Sequence, residues 1–266
     1  PPGGWGRAPE ASRLGPKPRL CKAMLLEGST IETVSRHGKQ LALFADHGAV
    51  GVHLGMTGQL MFRPPGVKLE KSDHVHVQWR LTDATGSPAG RLVFRDPRRF
   101  GGVWAHRSGE EFRALRWEPL GPDALEITSE RLQERLAPRQ PARALRSVRC
   151  IKAALLDQQT IAGVGNIYAD EALFGAGIRP TRPAGQLARN EVSRLANEIR
   201  QTLGAAIEAG GSTLRDYVDG DGVRGSFQSQ HRVYGRGGLM CIRCGDTLQT
   251  ALIAQRTTVW CETCQC

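Results

Sequence analysis

Two Cys-x-x-Cys pairs near the C-terminus, Cys241/Cys244 and Cys261/Cys264, stand sixteen residues apart. Knuckles at that spacing can set four thiolates at the corners of a tetrahedron, the geometry Zn²⁺ prefers, and two facing pairs favour metal over two disulfides. Four thiolates leave no position for water, so one structural zinc ion is expected. Cys266, two residues past Cys264, is a weaker candidate ligand, and Cys21 and Cys150 read as small apolar residues. Between the pairs, Thr247 to Ile253 and Thr257 to Trp260 have the composition of two hairpin strands, with Gln255 and Arg256 at the tip. A tip arginine is either solvated or offered to a partner.

A second concentration of cations runs from Arg135 to Lys152 and includes Arg139, Arg143, Arg146 and Arg149, with no acidic residue among them. Such a run is either a solvated face or a phosphate-contacting one. The chain of 266 residues carries a formal charge of +10, which points to a polyanionic partner, nucleic acid or a membrane surface. No apolar run approaches the roughly 20 residues of a membrane span and no signal peptide is visible, so a cytoplasmic protein is expected. Seven cysteines, four of them in a metal pattern, fit a reducing compartment.

A third candidate is the glycine-rich turn Ile161-Ala162-Gly163-Val164-Gly165-Asn166, set between helical patterns at Ile151–Gln158 and Asn166–Phe174. Free N–H groups at the second helix's start suit a phosphate, and a plain helical hairpin explains the same spacing.

The elements that must position these groups fall into two halves. Alternating patterns at Leu41–Phe44, Val50–Leu54, Leu60–Phe62, Val75–Trp79, Leu92–Phe94 and Val103–Ala105 predict an antiparallel β-sandwich or barrel-like unit. Helices are expected at Glu110–Trp117 and Ser129–Leu136, and a long one, N-capped by Asn190, buries Val192, Leu195, Ile199, Leu203 and Ala206. The glycine-rich stretch Asp216–Gly225 reads as a loop. The division is 1–20 (a Pro-, Gly- and Arg-rich flexible tail), 21–108 (sandwich), 109–150 (basic linker and helices), 151–232 (helical domain) and 233–266 (zinc finger).

Six segments in order, HLGMTG (53–58), DPRRFG (96–101), LGPDAL (120–125), GVGNIYADEALF (163–174), VYGRGG (233–238) and the terminal ribbon with AQRTT (254–258), resemble the formamidopyrimidine-DNA glycosylase and endonuclease VIII family, in its formamidopyrimidine branch. The resemblance spans about Ile31 to Cys264. It implies an α+β protein of two domains, an N-terminal antiparallel β-sandwich and a C-terminal helical domain with a helix-two-turn-helix and a zinc-ribbon hairpin. Duplex DNA holding a damaged base or abasic site would run across the cleft. It implies base-excision repair of oxidised purines (formamidopyrimidine, 8-oxoguanine) with base flipping and abasic-site lyase activity by a monomer at the nucleoid. By the same resemblance Lys39 contacts DNA near the lesion and assists the lyase step. Met56, Arg98 and Phe100 fill the space of the flipped nucleotide. Asn166 clamps a phosphate, Lys152 faces DNA or the lesion pocket, and Arg256 grips phosphates and serves the second elimination. His74 belongs to a phosphate-contacting Lys-His-Asp-His segment whose first histidine is here Ser72. Asp219–Gly225 is the lesion-capping loop.

The N-terminus departs from that pattern. The family's nucleophile is the amine of an N-terminal proline followed by glutamate. Here Pro1 is followed by Pro2, and the first acidic residue is Glu10. Three expectations stay open: the true start is missing from this chain, Pro1 acts with another proton-handling group, or the scaffold binds damaged DNA and abasic sites without cutting.

Overall fold

The computed structural model describes residues 25–70, 73–137, 149–213 and 223–266. Pro1, the tail, Cys21, Arg139, Arg143, Arg146 and most of the Asp219–Gly225 loop lie outside them.

Among the described residues, seven strands of the N-terminal half form two antiparallel sheets. One orders β1 (Ile31–His37), β2 (Gln40–Ala45), β3 (Gly48–His53) and β7 (Gly102–His106), and the other orders β4 (Gln59–Arg63), β6 (Pro88–Arg95) and β5 (Val75–Thr82). The sheets bury Leu43, Val50, Val52, Trp79 and Phe94 between them. β4 belongs to the sheet opposite β3, so Leu54–Gly58 is the crossing between layers. The expected helix at Glu110–Trp117 is one α-turn, α1 (Gly109–Phe112), running into a π-helical turn over Arg113–Trp117. The π turn brings Trp117 beside Phe112, five residues back, at 5.3 Å between ring centroids, and both rings meet Phe44 edge-on.

The helical half comprises α2 (Ser129–Leu136), α3 (Ile151–Leu156), α4 (Asn166–Ala176) and α5 (Arg189–Glu208) around a core that includes Ile127, Leu155, Leu173, Leu195 and Ile199. α2 follows its cap: Thr128 accepts from the Arg131 N–H. α5 starts one residue before Asn190. Its N-cap is Ala188, which lacks a capping oxygen, and Glu191 instead accepts the Ala188 N–H at 2.8 Å while Arg182 holds the same carboxylate. The apolar face is the one the spacing predicts, with Leu203 packed at its margin. No helix among the described residues is long and apolar enough to cross a membrane.

The terminal module carries β8 (Gln249–Ile253) and β9 (Arg256–Trp260). Ile253 pairs with Arg256, so the tip is Ala254-Gln255, both at positive φ, and Arg256 is the first residue of β9 rather than part of the turn. Phe174 of α4 packs with Val233, Leu248 and Val259, and Arg243 lies 4.4 Å over the Phe174 ring. Glu171, also on α4, accepts the backbone N–H groups of Arg232, Val233 and Tyr234.

Candidate nucleic-acid interface and metal centre

The β1–β2 turn is two residues long, and Gly38 at φ +56° is its first centre. A side chain there would place Cβ 2.7 Å from the Ala162 Cβ, so only glycine lets the turn lie against the glycine-rich segment. Lys39 follows and donates from Nζ to the Val164 carbonyl at 2.8 Å. Gln158 braces that segment from behind, donating to Val164 O at 3.1 Å and accepting the Gly163 N–H at 3.0 Å.

Asn166 opens α4 and donates from Nδ2 to the Thr257 carbonyl of β9 at 3.1 Å, one residue from Arg256. Arg256 is close enough that its charge acts on both Lys39 and Lys152. Burial, aided by Arg256, brings the Lys39 amine down to about 8. His53, at the end of β3, is held below the usual histidine value by burial and by the Lys39 charge, and its Nδ1 accepts the Gly55 N–H. The sheet half, the glycine turn and the terminal hairpin thus meet at Lys39, Asn166 and Arg256.

Lys152 departs from expectation. It is wholly buried, its Nζ 2.5 Å from Asp170 Oδ1 and 2.7 Å from Thr258 Oγ1, and Asp170 Oδ2 accepts the Val259 N–H. Burial raises Asp170 to about 6 and lowers Lys152. A lysine with no exposed surface cannot touch DNA, so Lys152 is an internal tie between α3, α4 and β9. Asp170 and Thr258, its partners, escaped the sequence reading. The signal available was a single lysine in the otherwise apolar α3, IKAALL.

A second group stands on the sheet half. Met56, Arg98 and Phe100 are exposed, and the Arg98 guanidinium lies 4.8 Å from the Phe100 centroid. Their two loops are fastened by buried Asp96, which accepts Thr57 Oγ1 at 2.6 Å and the Gly101 N–H at 2.7 Å. Burial opposes ionisation of Asp96, but these bonds and the Arg98 and Arg99 N–H groups outweigh it and hold the carboxyl below the usual range. Gly55, at φ +63°, passes so close to the Phe100 carbonyl that a Cβ would sit 2.6 Å from its oxygen. His74 is exposed at the start of β5, and its carbonyl accepts the Asp96 N–H, which places it with this group and not with Lys39.

The four cysteine sulfurs Cys241, Cys244, Cys261 and Cys264 lie within 4.8 Å of one another. Zn–S bonds of about 2.3 Å in a tetrahedron require sulfurs about 3.8 Å apart. Cys241 to Cys264 is 3.9 Å and Cys244 to Cys261 is 3.4 Å. The Arg243 and Cys264 N–H groups point at Cys241 Sγ and Cys261 Sγ, a donor pattern that suits thiolates. The four can hold a metal ion, and exposed Cys266 is not one of the group.

Family models match twice, the formamidopyrimidine-DNA glycosylase N-terminal domain over residues 8–103 and its H2TH domain over 120–218. The formamidopyrimidine-DNA glycosylase of Bacillus subtilis is 41% identical over 245 residues, 91% of this chain and 83% of the relative. The crystal structure of the MutM (Fpg) protein from Thermus thermophilus superposes with a TM-score of 0.72 at 39% identity, covering 91% of this chain and 85% of that one. The complex between Lactococcus lactis Fpg and an abasic site containing DNA gives a TM-score of 0.73 at 31% identity over 90% and 83%. Over most of its length, in both sheet and helical halves, this chain belongs to the formamidopyrimidine-DNA glycosylase family.

Proposed function

We propose that the protein is a base-excision-repair glycosylase that removes oxidised purines from duplex DNA and cuts the resulting abasic site, acting as a monomer at the nucleoid. The observation that carries the reading is the meeting of Lys39, Asn166 and Arg256 from three separate parts of the chain. Three donors of positive or polar character brought to one place suit the phosphates flanking an extruded nucleotide.

In this reading an amine attacks the sugar C1′, the glycosidic bond breaks and the base leaves with a proton. The amine loses a proton, the C1′–O4′ bond breaks as O4′ takes one up, and the ring-opened iminium so formed loses a C2′ proton, which breaks the C3′–O bond; a second elimination breaks the C5′–O bond. Lys39, with its amine near 8, is partly neutral at physiological pH and can hold or pass a proton beside the sugar. Arg256 and Asn166 hold the backbone. Met56, Arg98 and Phe100 occupy the vacated stack and offset part of the unstacking cost of a few kcal/mol. His74 meets phosphate from the sheet side. The family's attacking amine is that of an N-terminal proline, and Pro1, which lies outside the described residues, fills that role only where it is the free start of the chain. Cys241, Cys244, Cys261 and Cys264 would hold one Zn²⁺, which supplies folding energy and no chemistry.

Borohydride trapping on abasic duplex, paired with release of 8-oxoguanine from a lesion duplex, tests this. A covalent adduct and released base are expected. Tight binding to abasic duplex with no adduct would overturn the enzyme reading in favour of a damage-binding protein.

A further inference from the structure

A buried carboxylate grips the turn that presents Lys39 from the helical half, beside the His37 Nε2 contact to the Gly121 carbonyl at 2.9 Å. Asp123, 8% exposed, lies between Leu120 and α2. Its Oδ2 accepts the Gly38 N–H at 2.7 Å and Arg36 Nη1 at 2.6 Å, and its Oδ1 accepts Arg36 Nη2 at 3.1 Å and the Leu125 N–H at 3.0 Å. Arg36 also donates to the Gly38 carbonyl at 2.9 Å, so carboxylate and guanidinium together enclose the residue before Lys39. Burial opposes the charge on Asp123, but the bonds from Arg36, Gly38 and Leu125 prevail and keep its carboxyl below the usual range.

The backbone around Asp123 has a second attachment. The Ala124 N–H donates to Ala162 O at 2.8 Å and the Ala162 N–H to Pro122 O at 2.9 Å, a short parallel bridge. Ala162 leads directly into Gly163, Val164 and Asn166. The Asp123 side chain, with four bonds, therefore ties the Lys39 turn to the segment whose carbonyl receives Lys39 and whose end is Asn166.

We infer that Asp123 is a positioning residue for Lys39, fixing the lysine amine relative to Asn166 and Arg256 by gripping Arg36 and the Gly38 N–H. The inference rests on the reading of Lys39 as a lyase group. Asp123 reaches the reaction only through the turn. Reactive groups misplaced by about 1 Å can lose about 100-fold in rate while binding persists. A carboxylate that only stabilised the fold would instead change rate and binding together, through the folded fraction.

The test uses the zinc-loaded full chain and its variants Asp123→Asn, Asp123→Glu, Gly38→Ala and Lys39→Gln, each confirmed folded by circular dichroism at the assay temperature. Single-turnover borohydride trapping and equilibrium binding to the same abasic duplex are measured side by side. Asp123→Asn is expected to trap about 10- to 100-fold more slowly with Kd within about threefold of the parent, and Asp123→Glu, which keeps the charge on Arg36, to recover most of the rate. Gly38→Ala pushes the same turn off Ala162 and away from the Asp123 carboxylate while leaving residue 123 itself in place, should show the same split, and decides the matter if Asp123→Asn does not fold. Parent-like trapping by folded Asp123→Asn, or rate and binding lost in proportion, overturns the inference. If Lys39→Gln is slow in that case, the reading of Lys39 survives. If Lys39→Gln also traps at the parent rate, that reading fails and the inference falls with it.

Discussion

The β1–β2 turn and the start of α3 each place a lysine within reach of the Arg256 charge, in opposite settings. Lys39 is half-buried, and the bond described for its ammonium goes to the Val164 carbonyl. Lys152 is fully buried, with a carboxylate, a hydroxyl and the Thr257 carbonyl around it. An ammonium has three protons to donate. At Lys152 all three are committed inside the protein, which makes that lysine a joint. At Lys39 the described residues supply one acceptor, the Val164 carbonyl, which leaves donor capacity for the role proposed above. Closeness to the hairpin does not separate the two; the number of internal acceptors does.

The largest effect should come from removing the metal. The hairpin supplies Thr258 to Lys152 and Val259 to Asp170, so the buried joint exists only while β9 is docked. Chelation is expected to undock the hairpin, expose Lys152 to amine-modifying reagents and abolish binding to abasic duplex, all reversed on adding Zn²⁺. Peptide mapping of the modified lysines checks it. A Lys152 that stays protected in metal-free protein would break the contrast, since its burial would then owe nothing to the ribbon.

Next is the joint itself. Lys152→Ala leaves the Asp170 carboxylate buried without its cation, which typically costs about 3–5 kcal/mol. Replacing both partners by apolar residues of similar size should cost much less, because no charge is then stranded. Chemical denaturation of Lys152→Ala and of the double variant Lys152→Met/Asp170→Leu separates the two. Lys39→Gln should show the converse, a loss of about 100-fold or more in trapping rate without the loss of stability that Lys152→Ala brings.

This contrast also marks how far sequence reaches. The two halves, the α2 bounds and the apolar face of α5 follow from periodicity and caps, which are local signals. The four cysteines follow from spacing alone. Lys39 and Lys152 look alike in sequence because both follow an arginine-containing stretch with no acidic neighbour. What distinguishes them lies far along the chain, Asp170 at 18 positions from Lys152 and Thr258 at 106. Asn190 was the natural cap by residue type, but the Arg182–Glu191 pair supplies the Ala188 N–H with an acceptor and makes a capping side chain dispensable. The π turn at Arg113–Trp117 has no sequence signature; it exists because Phe112 and Trp117 both pack on Phe44.

The smallest effect, and the finest test of the contrast, is the pH response of Lys39 when Arg256 is removed. Folding lowers the Lys39 value from 10.5 to about 8, mainly by burial and partly through Arg256. Between about pH 8 and 10.5 the folded chain holds Lys39 largely neutral while the unfolded chain keeps it charged. The unfolded state binds more protons across that window, so the contribution of Lys39 to stability rises with pH there, and the cost of burying the cation is carried in full below pH 8. Arg256→Ala removes the smaller of the two causes, so the Lys39 titration should move up only part of the way towards 10.5. Binding of abasic duplex should weaken and its salt dependence should flatten by about one phosphate contact. NMR titration of ¹⁵N-labelled lysine side chains, assigned with Lys39→Gln, gives the first quantity, and binding across a salt series gives the second. At Lys152 the charge of Arg256 is the least of the influences and Asp170 opposes it, so that resonance should stay nearly where it was. Equal movement of both lysines would mean that their different partners do not set their different chemistry, and an unchanged salt slope would remove Arg256 from the phosphate contacts.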